Sequence, residues 1–241
     1  MAELNKATLT ETDIISKLLL PAIKASGWDD YTQIGQIRIY RMNDKLTQTE
    51  KLVEQLGQAH RLVAGFYQRI LPLFAQIAQE SIDATFWYWK PSENGRPCAR
   101  STRPSSAWAW DYIPLFASTH GYRTWDGGKA RSGDTSLAFR LYVDDAIRDG
   151  SPQRLGRKGE PDPLRLEKGN AVVEVHLFRC CKDSEHSFDT LWDKIPWPQT
   201  TEQWTTATQY PEVEFCVRHV PLAELLADPT VVSRWIKSRL G

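Results

Sequence analysis

Apolar residues recur at three- and four-residue spacing twice in the first third of the chain. Between residues 9 and 26, Ile14, Ile15, Leu18, Leu19, Ala22 and Ile23 mark one face of a helix. Thr8 with Glu11, or Thr10 with Asp13, can cap its start; Pro21 interrupts it and Gly27 stops it. From about residue 47 to 80, Leu52, Leu56, Ala59, Val63, Phe66, Ile70, Leu73 and Ile77 follow one another at alternating steps of four and three. That is a heptad seam, and Val53, Leu62, Tyr67 and Phe74 widen it into a broad apolar stripe. Gly57, Gly65 and Pro72 weaken the helix locally. The spacing predicts a long core helix packed across a sheet. The alternative is a helical hairpin or coiled-coil face, from Leu52 to Ile77, for a protein partner.

The period then shortens to two. A short strand is expected around residues 36–42 between the helices, and an aromatic one over Asp83–Lys90. Trp108-Ala109-Trp110-Asp111-Tyr112 also alternates as a strand should. Leu137, Phe139, Leu141 and Val143 share one face of a further strand, followed by strands over Val172–Cys180 and Val213–Val220. Asp228 and Pro229 start a closing helix whose Val231, Val232, Trp235 and Ile236 turn inward. Helices first, then strands, then one helix predict an α+β fold with a mainly antiparallel sheet. The chain divides into a helical region, 1–82, and a sheet-containing region, 83–241, which form either two parts or one continuous domain. Residues 148–170, with six basic and four acidic residues among Gly and Pro, are expected to be a mobile loop or a linker.

Composition adds limits. Thirty basic and thirty acidic residues cancel, so any site for a polyanion must be a local patch. No apolar run approaches the length needed to span a bilayer, and no membrane association is expected. The N-terminus lacks a signal pattern and the four cysteines form no disulfide framework, so the expected compartment is the cytoplasm. Ten tryptophans, eight tyrosines and eight phenylalanines stand out. Such rings fill cores, but they also stack on bases.

The stretch Thr10-Glu-Thr-Asp-Ile-Ile-Ser-Lys-Leu-Leu-Leu-Pro-Ala-Ile-Lys-Ala-Ser-Gly-Trp-Asp29, within residues 10–40, resembles the N-terminal leader of type I restriction-enzyme R subunits. In that family the leader precedes a PD-(D/E)xK nuclease and helicase domains. The resemblance implies a DNA-processing or phage-defence setting, and it carries no catalytic residue. Downstream the pattern departs. No Asp-x-Lys or Glu-x-Lys occurs in the chain, and Gly127-Gly128-Lys129 lacks the rest of a phosphate-binding loop. The nearest approach to a nuclease is Glu174-Val175-His176, one face of a strand, with Asp144 and Asp145 at the end of the strand before it.

Two further constellations bear on chemistry. Between residues 86 and 131 aromatic and basic side chains interleave. Trp89, Lys90, Arg96, Arg100, Arg103, Trp108, Trp110, Arg123, Trp125, Lys129 and Arg131 supply cations for phosphates and rings for bases. The simpler account is core strands beside solvated loops. His176, Cys180, Cys181, His186, Cys216 and His219 could be drawn together as a zinc site, but Cys216 and His219 point to opposite faces of a strand and no metal is expected. The first reading is therefore a non-enzymatic accessory protein that needs no cofactor and contacts nucleic acid or a protein partner. A divergent metal-dependent nuclease using Asp144, Asp145, Glu174 and His176, and an adaptor assembling through the heptad helix, are the alternatives.

Overall fold

The structure is a computed structural model and describes residues 42–125, 127–148, 160–163, 165–198 and 201–241. The expected helix over 9–26 lies outside the described residues, as does the strand expected around 36–42 except for Met42, which is helical.

The heptad pattern becomes one helix, α1, Met42–Ile82, which passes through Gly57, Gly65 and Pro72. It ends where Asp83 takes a left-handed backbone (φ 53°) and the Ala84 N–H turns back to the Ala78 carbonyl. The chain then runs through β1 Thr85–Pro91, β2 Ala117–Arg123, β3 Thr135–Tyr142, β4 Val172–Cys180, α2 Phe188–Lys194, β5 Thr205–Ala207, β6 Tyr210–Pro221, α3 Leu222–Ala227 and α4 Thr230–Leu240. The six strands form one sheet in the order β1-β2-β3-β4-β6-β5 with every neighbouring pair antiparallel. The fold is α+β, as the order of helical and alternating segments predicts.

Alternation along the strands sorts residues onto two covered faces. Leu137, Phe139 and Leu141 on β3 with Val173, Val175 and Leu177 on β4 face the helices. There they meet Ile70, Phe74 and Ile77 of α1 and Val232, Trp235 and Ile236 of α4; the Phe74 and Phe139 rings stack 4.5 Å apart. On the opposite face, Phe178 and Val213 pack with Leu191 of α2, while Tyr142, Trp110, Ile147 and Val172 form a neighbouring cluster.

Three segments depart from the pattern. Strand β2 (Ala-Ser-Thr-His-Gly-Tyr-Arg) has little apolar alternation, yet it is central, with Ser118, Thr119 and His120 buried. Gly121 lies under the Tyr88 ring of β1, where a Cβ would collide with the ring. The expected strand over Trp108–Tyr112 is a turn of 3-10 helix, Ala109–Tyr112. The Asp111 carboxylate accepts from the backbone N–H groups of Trp108 and Gly95, and the buried Trp110 indole donates to the Pro161 carbonyl. These bonds hold a tight turn, which the tryptophan alternation mimicked. Within the expected loop 148–170, residues 160–163 are tied down in the same way: Glu160 accepts from the Ala109 N–H, and Asp162 is buried.

Candidate functional site

Alternation places Arg140 and Tyr142 of β3 and Glu174 and His176 of β4 on the face away from α1, with His219 of β6 opposite Glu174. They converge on one carboxylate. Glu174 is only 3% exposed and accepts from Arg140 (3.0 Å), Arg148 (2.7 Å) and His176 Nε2 (3.1 Å), with His219 Nε2 at 3.3 Å. Around this centre the Tyr142 hydroxyl donates to Glu93, and its ring lies under the Arg148 guanidinium at 4.3 Å. Trp197 stacks on Arg140 at 4.6 Å and meets the His176 ring edge-on.

The electrostatics follow from these contacts. Burial pushes the Glu174 carboxyl up, but the His176 hydrogen bond and the two guanidinium charges outweigh it and bring it down to about 2. Burial pushes His176 down to about 4 and His219 down as well, against the pull of Glu174. At neutral pH the cluster therefore sets an ionised Glu174 carboxylate between two guanidiniums and beside neutral imidazoles.

This arrangement bears on the nuclease alternative. Asp144 accepts from the Ala146 and Gly169 N–H groups, and Asp145 from the Asn170 N–H, so both act as turn acceptors. Glu174 and His176 sit beside Arg140, whose positive charge opposes a bound cation. Among the described residues no three His, Cys, Asp or Glu side chains are grouped to hold a metal ion. Cys216 packs on the α1 side, where burial pushes its thiol up to about 12, and His219 lies on the other face.

The aromatic–basic segment divides into two parts. Arg123 pairs with Asp189 and lies over Trp87 and Trp125. Arg131 pairs with Asp183, and Lys129 with Glu185. Trp110 is turned inward and Trp125 packs against the α2 cluster. Each of these cations thus has a carboxylate partner, and the two rings are packed inward. The remainder gathers on β1 and the loop after it: Trp89 and Trp108 half-buried, Lys90, Arg96, Arg100 and Arg103 exposed, and Arg96 5.6 Å over the Trp89 ring. From residue 85 to 110 the sole acid is Glu93, whose side chain is 6% exposed in the inner cluster.

A third feature is the first half of α1. Phe66, Ile70, Phe74 and Ile77 lie against the sheet, whereas Leu46, Val53, Leu56, Leu62 and Val63 are exposed (60, 63, 58, 76 and 43%). No helix among the described residues is long and apolar enough to cross a membrane.

Sequence pattern does not single out Arg140, Arg148, Glu93 or Trp197, which come from four separate segments. A charged residue amid the apolar run Leu137–Tyr142, opposite another in Val172–Cys180, is the one signal of the pair.

The fold and these surfaces define an α+β protein with a long helix on one face of a six-stranded antiparallel sheet and a buried ionic cluster on the other. The chain belongs to the PM0109 family, whose model matches residues 46–237. Beyond this, a 36-residue segment, 15% of the chain, is 61% identical to part of the type I restriction enzyme EcoAI endonuclease subunit of Escherichia coli. The segment spans 4% of that subunit's length. No solved structure matches the chain.

Proposed function

We propose that this chain is a nucleic-acid-binding accessory protein of a restriction-like defence system. The observation that carries the proposal is the charge of the surface around β1. All the exposed formal charges from residue 85 to 110 are positive, and one of those guanidiniums lies over an aromatic ring. Cations spaced along a loop beside half-exposed rings suit a flexible strand, whose phosphates they neutralise and whose bases the rings stack. The segment shared with the EcoAI endonuclease subunit supports the setting in which this surface works. Glu174, enclosed by its own cations, organises the sheet face and takes no part in binding.

Fluorescence anisotropy with labelled single-stranded and duplex oligonucleotides tests this. Lys90, Arg96, Arg100 and Arg103 would neutralise about four phosphates, giving a log–log salt slope of about −3 on single strands. Affinity would then fall about fiftyfold between about 50 and 200 mM salt. Arg96→Ala, Arg100→Ala and Arg103→Ala together should reduce the slope to about −1 while leaving the circular dichroism unchanged. No binding at low salt, or a slope that the triple variant does not alter, would reject the proposal.

A further inference from the structure

The apolar stripe of α1 is continuous, and the sheet covers only half of it. From Phe66 onward it lies on β-strand side chains, while Leu56 and Val63 carry the same stripe past the sheet, flanked on one side by Leu46 and Val53; Leu62 lies on the far side of the helix from Val53. We propose that residues 46–63 form a self-association surface, where a second copy of this chain packs antiparallel against the first.

The size of the patch supports this. Leu46, Val53, Leu56 and Val63 at these exposures present on the order of 400 Å² of apolar surface per copy, within the range of the largest patch on a monomer. Two such patches facing each other bury about 800 Å², the size of a weak, reversible pair of proteins. The seam is periodic at 3.5 residues, so an identical helix can interlock with it over about 26 Å. An isologous contact uses one patch on both partners, and a seam complementary to itself meets that requirement.

Charge and the position of the sheet fix the partner and direction. Residues 46–65 contain Glu50 and Glu54 towards one end, Arg61 towards the other and Lys51 between, for no net charge. Two copies therefore do not repel, and antiparallel pairing sets the acidic end of each near Arg61 of the other, with the helix dipoles opposed. Parallel pairing would instead bring two sheets against the same end of the pair. The PM0109 match begins at residue 46, so the stripe lies within the family's own segment. This inference is independent of the nucleic-acid reading, which concerns a different surface.

Sedimentation equilibrium of the full chain tests it. We expect a species of twice 27.6 kDa at about 50 µM, with micromolar dissociation consistent with so small an interface. Leu56→Glu with Val63→Lys should weaken association at least about a hundredfold while leaving the circular dichroism unchanged, because both side chains are already exposed in the single copy. A wild-type chain that stays monomeric would overturn the proposal. If hydrogen exchange then showed residues 46–63 protected in that monomer, the covering segment would belong to the same chain. A dimer indifferent to the two substitutions would overturn it equally.

Discussion

Glu174→Gln tests whether the ionic cluster holds the sheet face together. The substitution keeps the shape and removes one charge. Arg140 would retain Glu93 at 3.8 Å, while Arg148, whose side chain is about a third exposed, would lose its carboxylate and keep partial hydration. The cost therefore belongs at the low end of that for breaking a buried pair, about 3 kcal/mol. Proton linkage gives a similar figure. A carboxyl held at about 2 in the fold and 4.5 when unfolded contributes about 3 kcal/mol. The folded value is depressed, so that contribution is present above pH 4.5 and is lost as the pH falls through 2. Urea unfolding followed by tryptophan fluorescence at neutral pH measures the cost, and repeating it below pH 4.5 should show the gap between wild type and variant closing. A loss under about 1 kcal/mol at neutral pH would refute the reasoning, since Arg148 would then have no need of its partner.

The remaining predictions concern the core and its histidines. Buried His120 and His176 both sit at about 4, against 6.5 when unfolded, so the unfolded chain takes up their protons first. Stability should be constant above pH 6.5 and fall by about 3 kcal/mol per histidine down to pH 4, read as the urea midpoint; a flat profile over that window would contradict it. Gly121→Ala drives a methyl group into the Tyr88 ring and should cost about 1–3 kcal/mol of unfolding free energy. A thermal midpoint equal to wild type would show that the ring moves freely. Phe74→Ala removes a ring stacked on Phe139 and should cost about 3–5 kcal/mol in the same assay.

The elements legible in the sequence are those whose side chains sort by polarity. Strand β3 alternates because Leu137, Phe139 and Leu141 face α1, and the long helix declares itself through its seam. Strand β2 was hidden because its buried face carries Ser118 and His120, which hydrogen-bond each other, in place of aliphatic residues. The 3-10 turn at Ala109–Tyr112 was hidden because two tryptophans two residues apart imitate a strand. The seam also could not show what lies beneath it, since period alone does not separate a sheet from a second helix. Glu174 and His176 were visible as a pair on one face. Their setting was not, because Arg148 and Trp197 come from loops and depend on tertiary placement.

The two ends of the sheet, among the described residues, bear on how it could pair with another chain. Strand β5 is three residues long, and β1 carries an irregularity between Phe86 and Tyr88 and finishes in Lys90-Pro91. A short strand offers few amide groups to template another chain, and a bulged strand ending in a cation and a proline offers a poor register. Among the described residues, neither end of the sheet therefore presents a long regular ladder of amide groups for edge-to-edge pairing.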